Sequence, residues 1–182
     1  MKTMLSKVFF LSNMKKLNFG CGTDIKPGWD NCDIQKSKKF ICCDANKIPY
    51  PFKDNTYDYI LLNEVLEYFD NPEKVLLELR RISKPNALIE INVPYYNNKG
   101  AYNDFQVKHY FNDTSFKIFV NQNYLVNKEK QFEISSLELI STTVGKVFPK
   151  ELREKLCLFI GGLIAKVNVK LKVIKGVTSD DK

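Results

Sequence analysis

Five short apolar runs recur between residues 15 and 93, and only one strong helical pattern stands between any two of them. The runs are 15–20, 29–34 ("WDNCDI"), 39–44 ("KFICCD"), 57–63 ("YDYILLN") and 86–93 ("NALIEINV"). Their length and their Gly, Pro, Asn and Asp borders mark them as strands. The fourth is apolar enough for the centre of a sheet. The helical pattern begins with Asn71 as N-cap and Pro72 at the first helical position, where a missing N–H costs nothing. Val75, Leu76, Leu79 and Ile82 form its buried stripe, and Pro85 and Asn86 are expected to end it. Shorter helices are expected at 64–69 and 113–120. Strands interleaved with helices predict an α/β fold with a parallel sheet.

The last third of the chain reads differently. Residues 132–142 predict a strand, and 149–160 a helix broken by Gly161-Gly162. Residues 164–175 alternate, with Ala165, Val167, Val169, Leu171 and Val173 on one face. That period of two suits a half-exposed, antiparallel strand at a sheet edge. The expectation is a mostly parallel seven-stranded sheet with an antiparallel C-terminal pair. Its first crossovers are short. About eight residues join the first two strands and about four the next two, where a parallel crossover normally takes about a dozen. A shortened first helix and no second one should leave that edge bare. Residues 1–13, carrying Met4, Leu5, Val8, Phe9 and Leu11, are read as an N-terminal extension that covers it. Residues 14–182 form one domain, with a substrate-side insertion at about 94–130.

Composition narrows the class. A chain of 182 residues, 44% hydrophobic and 27% charged, is long enough to bury a real core. The longest apolar stretch, 156–165, is ten residues and too short to span a bilayer. No secretory signal is evident, so the expected compartment is cytoplasmic. Five cysteines without framework spacing and one histidine, His109, predict reduced thiols and no metal site. The net charge of +7 is spread over both halves. Its one local concentration is Lys166, Lys170, Lys172 and Lys175, read as the solvated face of an edge strand; attraction of phosphate or anionic lipid headgroups is the other reading.

The chemistry sits in "KLNFGCGTDIKPGWDNCDI", residues 15–33. In open α/β sheets ligands bind outside the C-terminal strand ends, where the strand order reverses. Gly20, Asp33, Asp44 and Asn63 all fall near such ends. Glycines let a ligand reach the backbone and offer amide donors. An acid after the second strand offers acceptors to a ribose diol. The dinucleotide fingerprint is missing its third glycine, and its acid belongs about 20 residues on. No GxxxxGK phosphate loop exists, which disfavours an ATPase or GTPase.

These residues resemble the class I S-adenosylmethionine-dependent methyltransferases, in particular small bacterial and archaeal members whose first motif runs "LNLGCG…PGW.N.DI". A second stretch, "CDANKIPYPFKDNTYDYILLNEVLEYFDNPEKVLLELRRISKPNALIEINVPYY", 43–96, follows the family's order of acid, turn, strand, "HVLEH"-like segment, helix and fifth strand. A weaker match lies at 104–116. The resemblance implies a Rossmann-like fold with S-adenosyl-L-methionine as cofactor. It implies that Asn18, Gly20, Cys21 and Gly22 line the methionine part. Asp33 takes the ribose hydroxyls, and Ile34 packs on the adenine. Asp44 faces the adenine amino group beside Ala45, and Asn63 and Glu64 border the sulfonium. The sequence departs from the family where Glu64 and Tyr68 replace histidines and where His109 replaces an arginine.

Methyl transfer is an in-line displacement that depends mainly on alignment. A base is needed only when the acceptor must lose a proton. His109, Tyr95, Tyr96 and Glu64 are the candidates. Tyr95, Tyr96, Tyr102 and Tyr110 are aromatic candidates for stacking on an acceptor or facing the sulfonium. The expected acceptor is a small molecule or a glycan. A nucleic-acid acceptor, prompted by the basic charge, and a non-catalytic binding module, prompted by the missing histidines, are the other readings.

Overall fold

A computed structural model of the chain describes residues 14–127 and 129–175. The proposed cover from residues 1–13 lies outside them. Strands β1 (Lys16–Phe19), β2 (Asp30–Asp33), β3 (Ile41–Cys42) and β4 (Tyr57–Asn63) lead to helix α1 (Pro72–Ile82) and strand β5 (Ser83–Pro94). Helix α2 (Asp113–Asn127), β6 (Phe132–Ser141), α3 (Lys150–Leu156) and β7 (Ile164–Val173) complete the order. The seven-stranded sheet is arranged β3-β2-β1-β4-β5-β7-β6. The first five strands are parallel, and β7 runs antiparallel to both β5 and β6. The order reverses between β1 and β4, so the crevice beyond their C-terminal ends is the switch point where ligands settle.

No helix forms between β1 and β2 or between β2 and β3. The shortened first crossover helix is thus replaced by turns, and two buried asparagines do its tethering. Asn18 Nδ2 donates to the Asp24 carbonyl at 2.7 Å and to Asn31 Oδ1 at 3.1 Å. Asn31 in turn donates to the carbonyls of Lys26 and Trp29 and accepts the Lys26 amide at 2.9 Å. A polar side-chain pair across neighbouring strands satisfies a connection too short to satisfy itself in a helix.

Helix α1 follows its sequence signals: Asn71 accepts the Lys74 amide at 2.9 Å, Pro72 opens the helix, and Val75, Leu76, Leu79 and Ile82 are buried. It stops at Ile82, earlier than expected, and β5 starts at Ser83. Pro85 disfavours helical backbone at Lys84. Asn86 does adopt a positive φ of 65°, inside the strand, where the pairing of β4 with β5 shifts register. Helix α2 runs longer than expected, to Asn127, while β3 shrinks to two residues at the sheet edge.

The core lies on one face of the sheet. Leu17, Phe19, Ile60, Leu62, Ile89, Ile91, Val93, Val167, Val169 and Leu171 join the buried stripe of α1 and Phe116 of α2 in one cluster. The other face is half-exposed and carries Tyr59, Leu61, Glu90, Asn92, Asn168 and Lys170. Strand β7 is therefore interior, between β5 and β6, and β6 is the edge. The alternation in β7 reflects a sheet with one wet face, not an edge position. Two of its three lysines are matched: Lys166 pairs with Glu64 and Lys170 with Glu90 at 3.2 Å; just past the strand, Lys175 donates to the Arg81 and Ser83 carbonyls.

Candidate active site

Strand β1 ends at Phe19, and Gly20 turns the chain with φ of +71°. A side chain at Gly20 would collide with Val65, so glycine is required twice, by conformation and by contact. Gly22, at φ +49°, donates its amide to Asp33 Oδ2 at 2.8 Å. Asp33 Oδ1 accepts the Gln35 amide at 3.1 Å. The glycine tip and the acid of the neighbouring strand thus stand together. The tip's amides are engaged within the protein: those of Gly20 and Cys21 both bond the Cys32 carbonyl at 2.9 Å. The tip therefore meets a ligand by close approach of bare backbone rather than by those amides.

A cleft of about 600 Å³ opens here, within the range of small-molecule and cofactor sites. One side is Gly20, Gly22, Asp33 and Ile34, and a second is Cys43, Asp44, Ala45 and Asn46. Ile34 is apolar yet 63% exposed, an open platform beside the two acids. Asp44 caps its own turn through the Asn46 amide at 3.0 Å and pairs with Lys47 at 3.2 Å. Asp44 is brought to the cleft because β3 ends early, with the Cys43 amide still bonded to the Asp33 carbonyl at 2.8 Å.

The third wall comes from segments the sequence reading did not assign to the cofactor. Val65, Tyr68 and Phe69 follow β4, and Asp104, Gln106 and Lys108 form a strap. The strap is tied down by the amides of Lys108 and His109, which both donate to the Glu67 carbonyl. Lys108 also pairs with Asp70 at 2.5 Å. The signal for this contact was faint: the weak family match at 104–116 covers the strap, but nothing in its composition says what it lies against.

Several expected residues stand outside the cleft lining. Asn18 is buried beneath the glycine tip, bonded to Asp24 and Asn31, so it shapes the loop. The Cys21 thiol is buried, and that burial raises its pKa. Asn63 is exposed at the end of β4, and Glu64, with a positive φ of 53°, pairs with Lys166. Tyr95 is buried with its hydroxyl 3.7 Å from Cys157 Sγ, and burial pushes its pKa up. It faces the protein interior and not the cleft. His109 lies next to the strap with Nε2 buried and without a hydrogen-bond partner among the described residues.

Glu67, for which the sequence suggests no role, carries another such atom. It is 2% exposed, and its Oε2 also lacks a partner among the described residues. Burial pushes its pKa to about 7, with the nearby Glu64 charge adding to the rise. An acid inside the apolar run "EVLEYF" was the available clue. Among the described residues no group of His, Cys, Asp and Glu is arranged to hold a metal, and all five cysteines are free.

Residues 11–91 match the family described as "Methyltransferase domain". An uncharacterised protein of Methanocaldococcus jannaschii is 32% identical over 79 residues, 43% of this chain and 38% of that relative, so the match spans well under half of the relative's length. Among solved structures, an S-adenosylmethionine-dependent methyltransferase from Archaeoglobus fulgidus superposes with a TM-score of 0.63 at 15% identity, covering 94% of this chain and 91% of that one. A chain from the Haloferax volcanii complex of the Trm112 methyltransferase activator with a proposed methyltransferase gives 0.58 at 14% identity, covering 94% and 90%. At these identities the structural likeness speaks for the fold.

Proposed function

We propose that the chain, whose residues 11–91 match the methyltransferase-domain family, is a class I S-adenosylmethionine-dependent enzyme that transfers a methyl group from S-adenosylmethionine to a small-molecule or glycan-type acceptor. The observation that carries this reading is the Gly22–Asp33 contact at the mouth of the cleft. It fixes a carboxylate beside bare backbone, and each carboxylate oxygen keeps a second lone pair for a ribose hydroxyl. Ile34 supplies an apolar face for the adenine, and Asp44 with Ala45 its edge. When bound, the cofactor supplies an activated methyl, so the protein's task is to orient it and to exclude water.

The acceptor would enter past the ends of β4 and β5, near Asn63 and Glu64. Glu67 Oε2 and His109 Nε2, buried and without a hydrogen-bond partner among the described residues, lie where the strap is tied to the Glu67 carbonyl. We assign Glu67 a positioning role: its carbonyl holds the strap, and its carboxyl sets the local charge. A nucleic-acid acceptor finds little support, because Lys108 is the one basic residue lining the cleft, and it is paired with Asp70. Five free thiols suit a reducing, cytoplasmic setting.

Titration calorimetry with S-adenosylmethionine tests the reading. Binding is expected in the full chain and is expected to weaken roughly 10- to 100-fold in Asp33→Ala, the cost of charge-assisted hydrogen bonds. An absence of binding in the unmodified protein would favour a non-catalytic module, and binding indifferent to Asp33→Ala would move the cofactor elsewhere.

A further inference from the structure

The connection between β6 and β7 exposes an apolar surface that the methyl-transfer reading does not use. Val144 is 64% exposed, Val147 78%, Leu158 66%, Phe159 87% and Ile160 47%. These residues sit on two turns that flank α3, and Val144 shares a groove with Gly161 and Gly162, so the turns adjoin. Exposed apolar side chains on a loosely held loop would mean little. This backbone is anchored. Cys157 is buried, and its carbonyl accepts Asn97 Nδ2 at 2.5 Å. Thr142 Oγ1 donates to the Gly162 carbonyl at 2.7 Å, and Arg153 donates to the carbonyls of Gly145 and Phe148. Gly145 lies so close to the Leu163 carbonyl that no Cβ fits. Large apolar groups are thus held in water by anchored backbone on two adjoining turns, and exposed apolar surface of that kind marks an interaction surface.

Charge identifies the partner. Lys99 lines a groove with Val144, Lys146 adjoins Val147 in the chain, and Lys150 and Lys155 lie on α3 between the two turns; all four are exposed, and none forms an ion pair with another described residue. Glu151 is the one fully exposed acid among residues 144–160, and Glu154 is half-buried. On the wet face of β7, by contrast, Lys166 and Lys170 are each held by a carboxylate. Large apolar tips ringed by free lysines fit the boundary between anionic headgroups and acyl chains, where apolar burial and phosphate attraction act together.

We propose that this connection docks the protein on an anionic lipid surface, with Val144, Val147, Leu158, Phe159 and Ile160 entering the headgroup–acyl boundary and the four lysines meeting phosphate. The connection follows β6 and precedes β7, at the same strand ends as the cleft. A docked molecule therefore turns its cleft edge toward the membrane. That the methyl acceptor is lipid-borne rests on the proposed methyl transfer; the docking does not.

Vesicle co-sedimentation of the full chain tests it. Binding is expected to mixed phosphatidylglycerol–phosphatidylcholine vesicles and not to pure phosphatidylcholine, and it should fall as salt is raised. The double variant Phe159→Ser with Ile160→Ser should weaken binding at least about tenfold. Lys150→Gln and Lys155→Gln should each weaken it about fivefold. Circular dichroism melts confirm that these exposed positions leave the fold intact. Failure to pellet with anionic vesicles, or pelleting unaffected by the serine pair, overturns the proposal. So does a dimer in light scattering that Phe159→Ser converts to monomer while no vesicle binding is seen, because the patch is then a self-interface. Calorimetry with S-adenosylmethionine reads the methyl-transfer proposal separately, since docking requires no cofactor.

Discussion

Gly20 carries two constraints that act through different physics. Its φ of +71° is a left-handed conformation, which costs a side-chain-bearing residue roughly 1–2 kcal/mol. The missing Cβ also leaves room for Val65, which lines the cleft opposite. Gly20→Ala is expected to lower stability by at least that backbone cost in urea denaturation, and to disturb the cleft by displacing Val65. Gly22→Ala lacks the second penalty, since nothing lies within 4 Å of a Cβ built there. Glu67 makes a pH prediction. Its folded pKa is raised to about 7, above the 4.5 of the free group, so the folded state holds the proton more tightly. Between those values the folded protein binds more protons than the unfolded one. Stability therefore falls as pH rises through that window, by about 3 kcal/mol in all. Glu67→Gln removes this dependence. Chemical denaturation at pH 5 and pH 8 should show the variant gaining stability relative to the unmodified protein at the higher pH; equal pH profiles would place the Glu67 charge in a solvated site.

At the scale of elements, α1 is where local and tertiary signals agree. Asn71 caps it, Pro72 opens it, and a single apolar stripe faces β5 and the rest of the core. Asn71→Ala leaves the Lys74 amide unpaired and is expected to cost about 1 kcal/mol, read as a shift in the denaturation midpoint at constant slope. The crossovers show the opposite case. Their brevity was legible and forbade full helices, but the device that replaces them was not. Asn18 and Asn31 stand 13 residues apart, and only the parallel register of β1 with β2 puts them side by side. For the same reason Asn18 read as a ligand contact when taken with the glycines, although its side chain turns under the loop. The edge assigned to β7 belongs to β6: alternation reports which faces are wet, and says nothing about how many neighbours a strand has.

At the scale of the whole molecule, the described helices that pack on the core do so on one face of the sheet, and the other face stays polar and half-exposed. The excess of +7 is accordingly uneven in its consequences. Lysines on the wet face of β7 are mostly neutralised by Glu64 and Glu90, while those around the β6–β7 connection are not. Without a continuous basic path into the cleft, RNA binding is expected to stay in the non-specific range, weaker than about 1 μM, and not to compete with S-adenosylmethionine. Filter binding across salt concentrations checks this, and tight binding displaced by the cofactor would revive the nucleic-acid reading. No helix among the described residues is long and apolar enough to cross a membrane.

By itself the sequence determined the strand series, the capped helix, the antiparallel C-terminal pair and the placing of its glycines and acids at strand ends, because each is written in neighbours a few positions apart. Gly20, Gly22, Asp33, Ile34, Asp44 and Ala45 meet at one cleft, as their strand-end positions required. The tertiary structure alone decided what those residues face. It spent the glycine tip's amides inside the protein, sealed Tyr95 against Cys157, paired Glu64 with Lys166, and brought a strap from residues 104–108 across a wall 35 or more positions away. Such pairings arise from register and packing between distant segments, and no local pattern encodes which distant partner a side chain will find.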